Sequence, residues 1–292
     1  MGSRQRRRWE KQVECVYAEL QRALYAPLLF IKNMKIALGV EYNGSQFHGW
    51  QLQQEGVRTV QLCLEQAISK VAAHDVRIFC AGRTDTGVHA VGQVAHFETA
   101  SHRTDRQWRL GINVNLPDDI SVNWVKHVDD QFHARFSAMN RSYRYYIWNR
   151  PARSALLTDK VNWTYHPLEH ELMHEAAQLL VGTHDFSSYR ALQCQAKSPV
   201  KTLHKLDVIR QGDMIVLKLK ANAFLHHMVR NIAGVLIAIG KKEQPVKWAA
   251  DVLDLKDRTL GGVTAVPDGL YFESVEYPEE FAIPENDFPA VI

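Results

Sequence analysis

Cysteine is scarce in this chain, and long apolar runs are missing. Its 292 residues include four cysteines that are far apart and form no Cys-x-x-Cys pair: Cys15, Cys63, Cys80 and Cys194. This spacing argues against a disulfide framework and a zinc ribbon, and it fits a reducing compartment. No apolar run has the length needed to span a bilayer. The sequence therefore predicts a cytoplasmic protein without a membrane partner.

A strong charge of one sign is also missing. The formal net charge is +3, but residues 1–33 contain seven Lys or Arg and three Asp or Glu, which leaves 28 basic and 29 acidic residues in the rest. Net charge therefore gives no argument for nucleic acid, and only a local basic patch can supply one. Residues 1–33 are predicted to be a disordered or loosely helical extension. Their apolar part is too short and too charged for a signal peptide.

Histidine is abundant, but little of its spacing is typical of metal ligands. The 14 histidines include one match to His-Glu-x-x-His, from His170 to His174, and a five-residue match alone is weak evidence for a metal. His226 and His227 are adjacent, so on a helix their side chains would point about 100° apart. We therefore expect no metal site and no cofactor. The His184-Asp185 pair leaves a metal-dependent hydrolase open as a weak alternative.

The remaining composition is that of a folded domain, with 46% hydrophobic and 23% charged residues. Residues 34–137 show apolar patterns in the order strand, helix, two strands, helix, strand. The strands are predicted at 35–42, 76–81, 93–99 and 120–128, and the helices at 59–72 and 104–115. This order is the split βαβ arrangement of a ferredoxin-like domain.

Residues 138–278 roughly repeat that order. Strands are predicted at 138–148, 203–210, 214–221 and 271–275, and helices at 168–181 and 246–255, with a long helix capped by Asn222 and ending at Gly240. The fold class is therefore α+β, with two ferredoxin-like halves whose antiparallel sheets join into one extended sheet with a central cleft. Residues 279–292 are expected to be a tail.

The stretch from Gly82 to Ala90 reads Gly-Arg-Thr-Asp-Thr-Gly-Val-His-Ala and lies between two predicted strands. One interpretation is a simple turn, because Asp and Thr before Gly commonly form side-chain to backbone hydrogen bonds in turns. The other is a site, since a loop of reactive groups held by rigid strands is a common way to build one. Local chemistry favours the turn.

Family resemblance makes the stretch specific. It closely resembles the active-site loop of the tRNA pseudouridine synthase A family, Gly-Arg-Thr-Asp-Ala-Gly-Val-His, and departs from it at Thr86, a small change that we expect to be tolerated. Further motifs of that family occur in the same order along this chain, at residues 132–138, 141–146 and 222–231. The resemblance covers nearly the whole chain from Met34 to about Pro278.

The resemblance implies an isomerase that converts uridine to pseudouridine in tRNA without a metal or redox cofactor. Asp85 matches the catalytic nucleophile and Arg230 its cationic partner, although an arginine considered alone is more often exposed. Tyr143 is implied to stack on the target uracil and to serve in proton removal. A phenol with a pKa of about 10 is a weak base at neutral pH, so stacking is the favoured role.

The resemblance also implies how RNA is held. Leu270 matches a leucine that contacts the base, and Arg83 matches the residue that holds the site opened by base flipping. Family members are homodimers that modify positions 38, 39 and 40 in the anticodon arm. Further positions that match RNA contacts are Arg103, Phe132, His133, Arg135 and Lys197, although Phe132 and Phe136 are expected to pack in the core.

A second class of function stays open. A catalytically silent RNA-binding protein on the same fold would bind tRNA without turnover. The intact set of Asp85, Tyr143 and Arg230 gives no support to silence, and Thr86 is the one small departure within the loop.

Overall fold

The computed structural model describes residues 33–284, so the predictions for residues 1–32 and for 285–292 lie outside the described residues. Ten strands and five α-helices alternate along this part of the chain. None of the helices in residues 33–284 has the length and apolar character that crossing a lipid bilayer requires. The strands are β1 Met34–Tyr42, β2 Ile78–Cys80, β3 His89–Thr99, β4 Ile120–Val128, β5 Asn140–Asn149, β6 Asn162–Thr164, β7 Gly182–Asp185, β8 Val200–Gln211, β9 Met214–Ala221 and β10 Leu270–Glu276, and the helices are α1 Val60–Ala72, α2 Asp105–Asn115, α3 His170–Gln178, α4 Met228–Gly240 and α5 Trp248–Leu255.

All ten strands form one sheet in which two halves repeat the same arrangement. The main path runs β4-β1-β3-β10-β5-β9-β8-β7, with β2 on β3 and β6 on β5. In the first half β4, β1, β3 and β2 are neighbours, and in the second half β10, β5, β9 and β8 are neighbours. If the strands of each half are counted along the chain, with β6 and β7 left out, both halves have the spatial order fourth, first, third, second. The predicted α+β fold of two joined ferredoxin-like halves is confirmed.

The halves join where β3 pairs in parallel with β10, through His89 with Tyr271 and Ala90 with Phe272. Strand β2 pairs with the other end of β3, at residues 95–97. One edge of β3 is therefore shared by β2 and β10, and residues 81–88 leave the sheet between these two partners. This division places the loop at the junction of the two halves.

The first-half helices begin at side-chain caps. The side chain of Thr59 accepts a hydrogen bond from the Leu62 N–H at the start of α1. Thr104 and Gln107 form a reciprocal capping box at the start of α2. These local bonds satisfy backbone donors that a helix start leaves unpaired, and the predicted helices at 59–72 and 104–115 are confirmed to within one residue.

Two predicted helix boundaries in the second half are wrong. Helix α3 ends at Gln178, because the N–H groups of residues 179–181 bond three residues back and tighten the chain into a turn. Asn222 does not cap α4, which begins at Met228. Its side-chain oxygen instead accepts a hydrogen bond from the Thr202 N–H, which ties the end of β9 to β8. Residues 222–227 are therefore irregular.

Core packing uses both faces of the sheet around β5. Tyr143, Tyr145 and Ile147 lie in the main core, whereas Tyr146 lies in a second cluster with Val161. This alternation agrees with the strand period of two residues. Tyr143 and Tyr145 thus lie on one face of the sheet and Tyr146 on the other.

His96 is buried in β3, and its Nδ1 accepts a hydrogen bond from the Ala134 N–H at 3.2 Å. Burial lowers the pKa of this imidazole to about 3, with help from the charges of His133 and Lys35. In the folded state this imidazole therefore stays neutral, whereas in the unfolded chain it takes up a proton near pH 6.5. Stability from this group is complete above pH 6.5 and is lost as the pH falls towards 3.

We expect His96→Asn to reduce the acid sensitivity of folding. Asparagine keeps an acceptor for the Ala134 N–H but takes up no proton. From pH 7.5 to pH 5 the wild-type protein should lose about 2 kcal/mol more unfolding free energy than this variant. Urea denaturation at both pH values measures the difference, and exposed His204→Asn is the matched control. Equal pH sensitivity in all three proteins would contradict the assignment.

Candidate active site

The loop between β2 and β3 is held at Thr84 by two contacts. The Thr84 hydroxyl lies 2.7 Å from the Tyr42 hydroxyl, and the Thr84 carbonyl accepts a hydrogen bond from the Trp50 N–H at 3.0 Å. The next residue, Asp85, bonds through its carbonyl to the Val88 N–H, which closes a four-residue turn. Gly87, the third residue of that turn, has φ +79°, a conformation that favours glycine. The loop is therefore both the predicted turn and a rigid mount for Asp85, and Thr86 is exposed on it.

His89 connects this loop to two other segments. Its Nδ1 accepts a hydrogen bond from the Gly44 N–H at 3.0 Å, and its Nε2–H donates to the Asp268 carbonyl at 3.1 Å. The ring also stacks on Tyr271, with ring centroids 4.6 Å apart. Burial lowers the pKa of His89 to about 4, so the neutral form that can make both bonds persists at neutral pH. His89 belongs to the loop motif, but its partners lie far away in the chain, so the local sequence pattern predicts no role for it.

The Asp85 carboxylate is partly buried, with 22% of its side-chain surface exposed, and faces three nitrogen donors. His226 Nε2 lies 3.1 Å from Oδ1. On the other oxygen, Oδ2, His227 Nε2 lies at 3.4 Å and an Arg230 terminal nitrogen at 3.5 Å. Both carboxylate oxygens are thus contacted by side chains from the second half of the molecule.

Arg230 is held in place before any substrate arrives. Its Nε donates a hydrogen bond to the Ala265 carbonyl at 2.8 Å, while the Ala265 N–H donates to the Arg230 carbonyl at 3.1 Å. Only 15% of its side-chain surface is exposed. The alternative of an exposed surface arginine is therefore wrong, and the predicted pairing with Asp85 is observed at 3.5 Å.

The two adjacent histidines converge instead of diverging. His227 has φ +61° and precedes α4, so the 100° separation of consecutive helical residues does not apply. The ring centroids of His226 and His227 are 4.1 Å apart. Within residues 33–284, Asp85, His226 and His227 are the one group whose donor atoms, within 4.8 Å of one another, have a spacing compatible with a metal ion. The expectation that these histidines are poor partners is wrong, because it assumed a helix.

His184 and Asp185 do not belong to that group. His184 bonds to the nearby Val181 carbonyl at 3.1 Å, and the Asp185 carboxylate accepts a hydrogen bond from the Ser187 N–H at 2.9 Å. These contacts are local to one turn. The hypothesis of a hydrolase built on this pair therefore has no second ligand set within the described residues.

Tyr143 lies under the site with its ring between two other aromatic rings. Its centroid is 4.9 Å from that of Phe224 and 5.0 Å from that of Phe272, both edge to face. Burial raises the pKa of the Tyr143 phenol, and the charges of Tyr42 and Asp85 raise it further. The phenol therefore stays protonated at neutral pH. Leu270 begins β10 and is paired in register with Tyr145, two residues along β5.

The other candidate RNA contacts divide into exposed and buried side chains. Arg83, Arg103 and Lys197 are exposed. Phe132 is fully buried against Tyr277 and His96, so its expected place in the core is confirmed.

Phe136 is 77% exposed, and its expected place in the core is wrong. Its ring centroid lies 4.3 Å from that of His133, and the Arg135 guanidinium lies over the ring. His133 Nδ1 accepts the backbone N–H bonds of residues 135 and 136, and this folds the run into a tight turn. The turn presents its aromatic and basic side chains outward.

Comparisons with known proteins agree on one family. A family model described as tRNA pseudouridine synthase matches residues 39–137 and 176–278. Proteins named tRNA pseudouridine synthase A from Pseudoalteromonas atlantica and Pseudomonas aeruginosa are 60% and 59% identical over 252 residues, which is 86% of this chain and 95% and 88% of theirs. The protein of that name from Nitrosococcus oceani is 56% identical over 259 residues, covering 89% of this chain and all of its own length.

Proposed function

The chain belongs to the tRNA pseudouridine synthase family, and from this premise we propose that it modifies positions 38, 39 and 40 of the tRNA anticodon arm with Asp85 as its nucleophile. The reaction class itself, isomerisation of uridine in tRNA, follows from family membership. The observation that carries the residue assignment is the Asp85 carboxylate, partly exposed on a rigid turn and held by donors on both oxygens.

Asp85 acts at the ribose carbon that changes its bond. One carboxylate oxygen attacks C1′ as the bond from C1′ to uracil N1 breaks, and the freed uracil anion turns so that C5 faces C1′. C5 then bonds to C1′ and releases the carboxylate. The C5 proton leaves and N1 gains a proton, so the product is an isomer of the substrate. A carboxylate suits this role because it is both a nucleophile and a leaving group.

Arg230 places its guanidinium 3.5 Å from one oxygen of that carboxylate. Unlike charges at this separation attract one another more strongly in a partly buried site than in water. The Arg230 guanidinium is held by the Ala265 carbonyl, so it needs no rearrangement to meet the charge. Preorganised charges of this kind are the most effective electrostatic contributors to catalysis.

Tyr143 provides a surface on which the flipped uracil stacks, and it is not the general base that removes the C5 proton. Its raised pKa makes the phenolate rare at neutral pH, and its ring is fixed by Phe224 and Phe272. Leu270, on the neighbouring strand, contacts the base from the other side. Stacking on aromatic side chains is a common means of holding an unstacked RNA base.

Exposed residues around the site bind the RNA. Arg83 lies two residues before Asp85 and occupies the space that the flipped uridine leaves. Arg103, Lys197, His133 and Arg135 contact phosphates or stacked bases, since cations beside aromatic rings suit RNA. Phe132 supports its turn from beneath, because it is fully buried. The protein acts as a cytoplasmic homodimer that grips one tRNA with both subunits.

A tritium-release assay tests this proposal. Unfractionated tRNA labelled with tritium at uridine C5 is incubated with the protein in the presence of chelator, and the modified positions are mapped in the product. We expect one labelled C5 hydrogen to be released for each pseudouridine formed, with pseudouridine at positions 38–40. Light scattering should give the mass of a dimer. Product elsewhere in the tRNA would contradict the anticodon-arm assignment. Tight binding without release would favour a silent RNA-binding protein.

A further inference from the structure

His227 holds a backbone conformation that few residues other than glycine adopt. It has φ +61° and ψ 3°, in the left-handed region, where asparagine, aspartate and histidine are the residues most enriched after glycine. It stands at the N-cap position of α4 but makes no side-chain capping bond. Helix capping therefore does not explain why histidine occupies this position, and unfavourable backbone conformations persist where the surrounding structure requires them.

The consequence of this conformation is seen at Asp85. His226 reaches Oδ1 at 3.1 Å and His227 reaches Oδ2 at 3.4 Å, so two consecutive side chains contact the two oxygens of one carboxylate. In a continuous helix the same two side chains would diverge by about 100°. The left-handed turn at His227 is what allows both to face the same group.

The backbone around the pair is also anchored. The His226 carbonyl accepts a hydrogen bond from the Ala191 N–H at 2.8 Å, and the His227 carbonyl accepts one from the Asn231 N–H at 2.9 Å. The imidazoles therefore project from a fixed backbone. A neutral imidazole N–H can donate a hydrogen bond to a carboxylate without cancelling its charge.

We propose that His226 and His227 are positioning residues that hold the Asp85 carboxylate in its attacking orientation, and that the left-handed conformation of His227 is maintained for this purpose. The proposal rests on the role of Asp85 proposed above. Nucleophiles must be held within a few tenths of an ångström of the productive geometry, so loss of one contact lowers kcat more than it lowers tRNA affinity.

His227→Asn and His227→Gly separate positioning from folding. Asparagine and glycine adopt the left-handed conformation readily, and neither side chain reaches Asp85. We expect an unchanged or raised thermal midpoint, a KM for tRNA within about threefold of wild type, and a kcat about tenfold or more lower. A residue with only a structural role would lose stability and activity together.

The matched control is Ala73→Gly at the end of α1, where Ala73 is exposed and has φ +60°. This substitution should raise the thermal midpoint similarly and leave kcat unchanged. At the other histidine, His226→Gln keeps an N–H donor near the position of Nε2 and should retain most of the activity, whereas His226→Ala should lose it. All assays contain chelator, so that a metal bound by the three residues plays no part in the result.

An unchanged kcat in His227→Asn, or a fall in its thermal midpoint, would overturn the proposal. So would equal activity in His226→Gln and His226→Ala. Failure here is distinct from failure of the proposed function: turnover by Asp85→Asn would remove the nucleophile assignment itself. If Asp85→Asn is inactive while His227→Asn is fully active, Asp85 is the nucleophile but does not depend on the histidines.

Discussion

Asp85→Asn protein is expected to bind tRNA and to leave its uridines unchanged, with turnover at least about 10⁴-fold below wild type. The amide has nearly the shape of the carboxylate, but it is a poor nucleophile and a poor leaving group. Its oxygen can still accept a hydrogen bond from His226 or from His227 and Arg230, although not from both sides as the carboxylate does. Because the proposed RNA contacts lie mainly on other residues, tRNA affinity should stay within about tenfold, or 1.4 kcal/mol.

Single-turnover tritium release and filter binding measure the two effects on the same preparation. Asp254→Asn is a suitable control, because Asp254 is an exposed carboxylate on α5 and loses the same charge. It should match wild type in both assays. Release by Asp85→Asn within about a hundredfold of wild type would remove Asp85 from the nucleophile role, since a bystander carboxylate can have effects of that size.

The fold was predictable because local patterns and long-range pairing agree. Thr59 and Thr104 cap helices by bonds within a few residues, and the alternation along β5 places Tyr143 and Tyr146 on opposite faces. Such features depend on neighbours in the sequence, so the sequence contains them. The parallel join of β3 to β10 depends on residues about 180 positions apart, and only the order of elements hinted at it.

The contacts around Asp85 were less predictable, because they depend on backbone geometry that no periodicity reveals. The apolar spacing of α4 continues backwards through Leu225, and this spacing predicts a helix from Asn222 in which the two histidines point apart. The left-handed conformation of His227 breaks that pattern without glycine or asparagine, the residues that normally mark it. The role of His89 is unpredictable for a related reason, because its two partners, Gly44 and Asp268, come from distant segments of the chain.

The site is shared between the two halves of the fold, and this division has a physical consequence. The first half supplies Asp85 on its turn, while the second half supplies the donors that contact it. His89 and the β3–β10 pairing hold the two halves in register. Residues that fix the backbone on either side of the junction are therefore expected to affect catalysis although they touch no substrate.

Gly234 in α4 is the residue where this expectation is strongest. A Cβ at this position would lie 1.8 Å from the Val263 carbonyl oxygen and 3.4 Å from the Ala265 nitrogen, both backbone atoms. Backbone cannot rotate away as a side chain can, so residues 263–265 must move. That segment contains the carbonyl that holds the Arg230 guanidinium beside Asp85. We expect Gly234→Ala to lower the free energy of unfolding by roughly 2–4 kcal/mol and to reduce kcat.

The sign of this effect is what makes the test informative. In an exposed helix interior, replacing glycine by alanine stabilises by up to about 1 kcal/mol, so Gly234→Ala must reverse the ordinary preference. Gly111→Ala in α2 is the matched control: its nearest neighbour is a Val71 methyl group at 3.1 Å, which can give way by a small side-chain shift. Urea denaturation and kcat should show Gly111→Ala close to wild type in both, and Gly234→Ala reduced in both. If Gly234→Ala were as stable and active as wild type, the close approach of α4 to residues 263–265 would not be what holds Arg230 against Asp85.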